Sequence, residues 1–239
     1  MMWNAVRANA VFLFSVLLAV LLLLLCLPGS EGWSVDWSQH ASSAYWQNYR
    51  AHLEYLGTRT PSNIDDLAFE RVPLAAGQYW RLITGHFIHL NLHHALMNSA
   101  GLVMLGLYFR RDFSLPAWIG LILLSSLTIS LGLWWTQPGL VAYVGFSGVL
   151  HALLYAGILL SWKEMPRINA VVMLLLLVRL AWEHSPAYDP AYLAGWIHGL
   201  VAPAAHFFGA LTGLAWGLVC LYRQRVAHSE PATPADQTS

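Results

Sequence analysis

The sequence predicts an all-α membrane protein, a bundle of six transmembrane helices, from three observations. Of its 239 residues 57% are hydrophobic and only 10% are charged, whereas soluble domains carry roughly 25% charged residues. Apolar runs close to 18 residues or longer recur six times along the chain, and about 20 residues at 1.5 Å rise cross a hydrocarbon core about 30 Å thick. Short polar stops separate the runs. The same numbers exclude disorder, which needs low hydrophobicity and high net charge. Twelve Lys/Arg against twelve Asp/Glu cancel, so no nucleic-acid footprint is present. Cys26 and Cys220 lie far apart in apolar runs; they read as small hydrophobes, not as a disulfide framework or a zinc ligand set.

The elements follow in order. The first span covers 10–27 and is stopped by Pro28-Gly29. Residues 28–81 then form one long outer loop, in which Trp33, Trp37, Tyr45, Trp46, Tyr49, Leu53 and Leu56 include a helix-spaced apolar stripe. Such rings favour the headgroup layer, so an interfacial helix is expected there. The second span, 86–109, ends at Arg110-Arg111-Asp112, and the third, 115–135, at Gln137-Pro138-Gly139. The fourth, 146–162, ends at Lys163-Glu164; the fifth, 168–182, is short and carries Arg179. The sixth, 203–222, runs into Arg223-Gln224-Arg225 and a polar tail, 223–239, expected to be disordered. The organisation is thus a first helix (1–27), an outer loop (28–81), a five-helix core (82–222) and a tail. Arg7, Arg110, Arg111, Lys163, Arg167, Arg223 and Arg225 all fall on one side, while loops 136–141 and 183–202 contain no Lys or Arg. The positive-inside rule then makes both termini cytoplasmic. A cleaved signal peptide at 1–29 would leave five spans and termini on opposite sides; an uncleaved anchor is preferred.

Polar groups at membrane depth are costly and mark candidate sites. His94 and Asn98 stand four apart on one face of the second span. The fourth span opens with Gly145-Phe146-Ser147-Gly148, and the sixth carries His206, Gly209 and Gly213. Each piece alone has a plain reading. A lone serine bonds its own helix backbone, a His/Asn pair is an interhelical contact of about 0.6 kcal/mol, and glycines four apart mean close packing. Together they form a chemical set at the outer ends of three helices. Ser147 starts a helix, where N–H groups are free, and Gly145 and Gly148 allow an unusual turn and close approach of a substrate. Gly209 and Gly213 let the sixth helix press on the fourth, bringing His206 to the Ser147 hydroxyl. A base in that place activates a serine nucleophile, and His94 and Asn98 can donate to an oxyanion.

The ordered set HxxxN, GxSG and AHxxGxxxG on the second, fourth and sixth spans resembles the rhomboid intramembrane serine proteases, as does Tyr79-Trp80-Arg81 before the second span. The likeness covers most of 77–222. It implies a six-helix rhomboid-like bundle, Ser147 as nucleophile and His206 as base in a dyad without an acidic third member, and an oxyanion hole from Asn98, His94 and the Ser147 N–H. A closer resemblance is to the rhombosortase branch, carried by the strings from Gly77 to His86, from Gly145 to His151 and from Arg179 to Glu183. That branch implies substrates with a C-terminal sorting tail of Gly-Gly, an apolar helix and basic residues. Cleavage would release exported proteins outside a bacterial inner membrane, with the site facing the periplasm. In two places the chain departs from the wider rhomboid pattern: Arg110-Arg111 replaces an acidic residue in the loop after the second span, and His151 stands where an aromatic residue is common, four after the nucleophile. His151 is expected on the side of the fourth helix that meets His206, stacked with it or sharing its proton.

The remaining polar residues have structural readings. His89 is expected to anchor the outer loop by hydrogen bonds, Arg179 and Glu183 to pair at the outer interface, and Ser125, Ser126 and Thr212 to bond back onto their own helices. His86, His89 and His93 follow i, i+3, i+7 spacing, but no acidic or cysteine partner is near, so no metal is expected. No cofactor is expected either; a bis-histidine haem would need His206, which Ser147 accounts for better. The expected partners are the lipid bilayer and membrane-anchored protein substrates, with no nucleic acid. The alternative function is a catalytically silent rhomboid-like binder of transmembrane segments.

Overall fold

The computed structural model describes residues 2–26, 66–197 and 199–229. The aromatic stripe expected as an interfacial helix lies outside them. Long helices dominate: α1 (Met2–Cys26), then a pair of short helices α2 (Arg71–Ala75) and α3 (Arg81–Thr84), α4 (Leu92–Tyr108), α5 (Leu115–Thr136), α6 (Ser147–Leu160), α7 (Pro166–Glu183), the short α8 (Ala194–Ile197) and α9 (Pro203–Ser229). Among the described residues three stretches, Asn9–Cys26, Leu115–Thr136 and Pro203–Ala227, are each long and apolar enough to cross a membrane. The architecture is not purely helical. Strands β1 (Phe69–Glu70) and β2 (Ala142–Tyr143) pair antiparallel, Phe69 opposite Tyr143 and Glu70 opposite Ala142. Two-residue strands leave almost no periodicity to read in a sequence.

Two boundaries differ from the sequence expectation, each for a local reason. The second span was placed from 86, but α4 starts at Leu92 because the Asn91 side chain accepts from the His94 N–H at 2.9 Å and caps the helix. Residues Gly85–Phe87 instead form a 3-10 turn. The tail was expected to be disordered from 223, but α9 continues to Ser229; no glycine or proline intervenes before Pro231 to stop it.

Helix packing follows small residues. α1 lies on α4, where a side chain at Gly106 would collide with Ser15, and Ser99 Oγ donates to Ala19 O at 3.2 Å. α9 packs on α6 and α5. A Cβ at Gly209 would strike the Gly148 carbonyl oxygen, one at Gly213 the Ala152 carbonyl oxygen, and one at Gly148 would reach 2.8 Å from Ala205 O. The backbones of α6 and α9 are therefore in direct contact, as small residues in membrane helices permit. Thr212 Oγ1 bonds back to Phe208 O at 2.8 Å and also meets Thr128 Oγ1 of α5 at 2.7 Å. Ser125 and Ser126 bond back to Leu121 O and Ile122 O.

The segment before α4 is tied down by arginines. Arg71 caps the C-terminal end of α5, donating to Leu133, Trp134, Gln137 and Leu140 carbonyls at 2.7–3.0 Å with its guanidinium 4.9 Å from the Trp134 ring centre. A cation at a helix C-terminus also meets the favourable end of the dipole. Arg81 donates to Gln78 Oε1 and Ala68 O, and Trp80 Nε1 to Asp66 O.

Candidate active site

The turn that presents Ser147 depends on glycine twice. Gly145 has φ +119°, and a Cβ there would sit 2.7 Å from the His94 ring, so no other residue fits both the backbone and the neighbour. Its carbonyl accepts from Tyr143 Oη at 2.9 Å and its N–H donates to Gly85 O at 3.2 Å. Ser147 then opens α6 as its first helical residue, where backbone N–H groups have no helical partner.

The Gly209 and Gly213 contacts bring α9 close enough for His206 Nε2 to lie 3.0 Å from Ser147 Oγ. His151 faces the same pair. Its ring stacks on His206 with centres 4.2 Å apart and planes 16° apart, and its Nδ1 donates to Ser147 O at 2.8 Å. Of the two arrangements expected for His151, stacking is the one adopted; its Nδ1 is engaged by the helix carbonyl rather than by His206.

The other side of His206 differs from the sequence expectation. A dyad lacking an acid was expected, with Glu183 serving only Arg179. The Glu183 Oε2 instead accepts from His206 Nδ1 at 2.7 Å, while Oε1 is held by Arg179 Nε at 3.0 Å and Nη2 at 2.8 Å. The Glu183 side chain is 1% exposed and that of Arg179 51%. Both carboxylate oxygens are thus used, one per partner. The Arg-x-x-x-Glu spacing could have raised Glu183 as a candidate. The approach of Glu183 to His206 across 23 residues depends on how the 184–202 loop folds back, which has no period to read.

His94 and Asn98 line a cavity of about 680 Å³ together with Ser147, His151, Glu183 and His206. Asn98 Nδ2 and His94 Nδ1 are buried without hydrogen-bond partners among the described residues. An unpaired buried donor is costly, and the Asn98 amide is such a donor lining the cavity. His89 was expected to anchor the outer loop, most of which lies outside the described residues; its ring meets His94 edge-on with centres 4.9 Å apart. His86 anchors to Ser130. The Ser130 hydroxyl donates to Leu82 O at 2.7 Å, so His86 Nε2–H donates to Ser130 Oγ at 3.0 Å. His93 turns to Trp196. The three histidines at i, i+3, i+7 therefore do not converge on a common point.

A serine whose hydroxyl meets an imidazole, in a walled cavity with an idle amide donor, has the parts for acyl transfer. Residues 76–223 match the family model described as the Rhomboid domain. The chain is also similar to "Rhomboid-related protein 1" of Caenorhabditis elegans, 29% identical over 154 residues, which is 63% of this chain and 42% of that protein. It spans about two fifths of that relative's length. Because the family match extends over more than half of the sequence, from the turn before α3 to the C-terminal half of α9, the chain belongs to the rhomboid family.

Proposed function

We propose that the chain is an intramembrane serine endopeptidase in which Ser147 is the nucleophile and His206 the general base. The observation that carries the reading is the 3.0 Å contact between Ser147 Oγ and His206 Nε2 at the wall of the cavity. Ser147 Oγ attacks the scissile carbonyl carbon as its proton passes to His206 Nε2. The negative charge that develops on the carbonyl oxygen is met by Asn98 Nδ2, His94 and the free N–H at the start of α6. His206 then returns the proton to the departing amine nitrogen, and water repeats the cycle on the acyl-enzyme. In this reading the chain crosses the membrane six times. α6, with 14 residues, rises only about 21 Å at 1.5 Å per residue, less than a hydrocarbon core about 30 Å thick, and in this reading the shortfall lies at the Ser147 end. Both termini face the cytoplasm and the site faces the periplasm of a bacterial inner membrane.

The proposed substrates are membrane-anchored proteins with a C-terminal Gly-Gly sorting tail. Support comes from the resemblance of the segments from Gly77 to His86, Gly145 to His151 and Arg179 to Glu183 to rhombosortases. The test has two arms. Full-length protein in detergent is exposed to a fluorophosphonate; labelling lost in Ser147→Ala is the expected result, and an unlabelled wild type favours the silent binder. A reporter ending in Gly-Gly, an apolar helix and basic residues is then co-expressed. Cleavage that disappears when Gly-Gly is changed to Leu-Leu is expected, and equal cleavage of both retires the sorting-tail reading.

A further inference from the structure

Resting on the reading of Ser147 and His206 as a proteolytic pair, we propose that Glu183 is the third member of the catalytic unit, a positioning residue that fixes the His206 tautomer and balances the charge His206 acquires. The dyad already described needs a base with a free Nε2 lone pair facing Ser147 Oγ. A neutral imidazole has one N–H and one lone pair, so its other nitrogen must carry the proton. Glu183 Oε2, 2.7 Å from Nδ1, selects that arrangement: Nδ1–H donates to the carboxylate, and Nε2 is left to accept from Ser147 O–H at 3.0 Å.

The carboxylate is itself held ionised and oriented. Arg179 grips Oε1 through Nε and Nη2 and is braced by the Tyr192 hydroxyl at 3.2 Å. A carboxylate with a 1% exposed side chain requires such a partner, and a pairing with Arg179 alone would leave Oε2 free to point anywhere. Instead Oε2 is turned onto the base. When the Ser147 proton moves to Nε2, the imidazolium forms between the new oxyanion on one side and the Glu183 carboxylate on the other. The carboxylate keeps its charge throughout and no proton transfers to it.

Other charged and titratable groups face this pair. His151 stacks on the His206 ring, His94 approaches it across the cavity, and Tyr155 and Tyr188 lie near Glu183 along with Arg179. All of them are unchanged in a Glu183→Gln variant, so a difference between variant and wild type reads Glu183 alone. In that variant the amide must direct either its NH2 toward Arg179, like facing like, or its NH2 toward Nδ1. The second choice forces the proton onto Nε2 and disarms the base.

The experiment follows fluorophosphonate labelling of full-length protein against pH, separated into kinact and KI, for wild type, Ser147→Ala, Glu183→Gln and Glu183→Asp. Glu183→Gln should lower kinact about 10²–10⁴-fold with KI little changed, and move the acidic limb to lower pH, because a neutral neighbour no longer favours the imidazolium. Glu183→Asp should recover at least tenfold of that loss. Wild-type kinact and limb in Glu183→Gln, or equal losses in Gln and Asp, would overturn the proposal. The histidine 15N spectrum of the wild type needs no variant to fold: protonated Nδ1 on His206 is expected, and protonated Nε2 sinks the assignment. If the wild type is not labelled at all, the proteolytic reading fails on its own, while the spectrum still reports the Glu183 bond.

Discussion

Ser147 Oγ and His206 Nε2 are 3.0 Å apart across 59 residues of chain, and if they share one proton as proposed they should fail as one. Ser147→Ala and His206→Ala should each abolish turnover, and the double variant should be little worse; two mild, additive losses measured by cleavage rate would break the unit. Asn98 carries a separate expectation. Its Nδ2 is buried with no hydrogen-bond partner among the described residues, so Asn98→Ala should leave expression intact and lower kcat about 10²–10³-fold. Unchanged kcat with poor folding would return it to packing. His151 offers a third test. Stacked on His206 at 4.2 Å, a protonated His151 would oppose the imidazolium by like-charge repulsion, so the acidic limb of kcat should report both rings as a coupled pair. His151→Tyr should keep activity and leave a single-proton limb; identical profiles would show that His151 only fills space. The sequence made most of this constellation legible, because Ser147, His206, His94 and Asn98 sit beside glycines or at helical spacing. Glu183 was legible only as the partner of Arg179. Its second contact depends on a loop of irregular backbone, and no pattern of residue types encodes where such a loop returns.

At the scale of elements, the site rests on the α6–α9 crossing. The spacing of Gly209 and Gly213 announced a close helix contact, and that contact is what sets the reach of His206. Gly209→Ala should therefore drive a methyl into the Gly148 carbonyl, costing about 1–3 kcal/mol as overpacking does and withdrawing His206 from Ser147. Gly120 in α5 is the counterexample: a Cβ there meets only the tip of Trp216 at 3.4 Å. Gly120→Ala should be neutral or raise stability by up to about 1 kcal/mol through helix propensity. Thermal unfolding in detergent measures both, and a Gly209→Ala protein as stable and active as wild type would mean the two helices can slide apart freely. α7 shows what the sequence hid at this scale. Most of its apolar residues face outward, while Val172, Met173 and Leu176 pack against the core between two buried polar residues, Asn169 and Glu183, near its two ends. Asn169 Nδ2 donates to Ser161 O at 2.9 Å, as Glu183 accepts from His206. The face that meets protein runs from Asn169 through Val172, Met173 and Leu176 to Glu183 at helical spacing, but so many apolar residues surround this stripe that the sequence alone does not single it out.

At the scale of the whole molecule, Arg110, Arg111 and Lys163 lie in the turns between α4 and α5 and between α6 and α7, away from Ser147 at the start of α6, and this end has its own titration. Asp112 lies in the turn between α4 and α5, and its carboxyl is pushed up to about 6, first by burial and then by the Glu164 carboxylate in the turn between α6 and α7. The folded carboxyl thus binds its proton more tightly than in the unfolded chain, whose reference value is 3.8. Between roughly pH 4 and pH 6 the folded state holds more protons, so stability is lost as pH rises through that window and stays lost above it. A two-unit shift would correspond to about 2.7 kcal/mol if fully felt, but the group is partly exposed, and solvent screening reduces the effect to on the order of 1 kcal/mol. Asp112→Asn removes the charge while keeping the shape. The variant should therefore be more stable than wild type at pH 7 by about that amount, and the advantage should vanish near pH 4, where wild-type Asp112 is protonated too. Other carboxylates also titrate in acid, Glu183 among them, but they are common to both proteins and drop out of the difference. Unfolding midpoints of the pair, measured in one detergent from pH 4 to pH 7.5, decide the matter: a pH-independent difference would mean that Asp112 acts through packing, and a variant less stable at pH 7 would mean that its charge is paired with the neighbouring arginines.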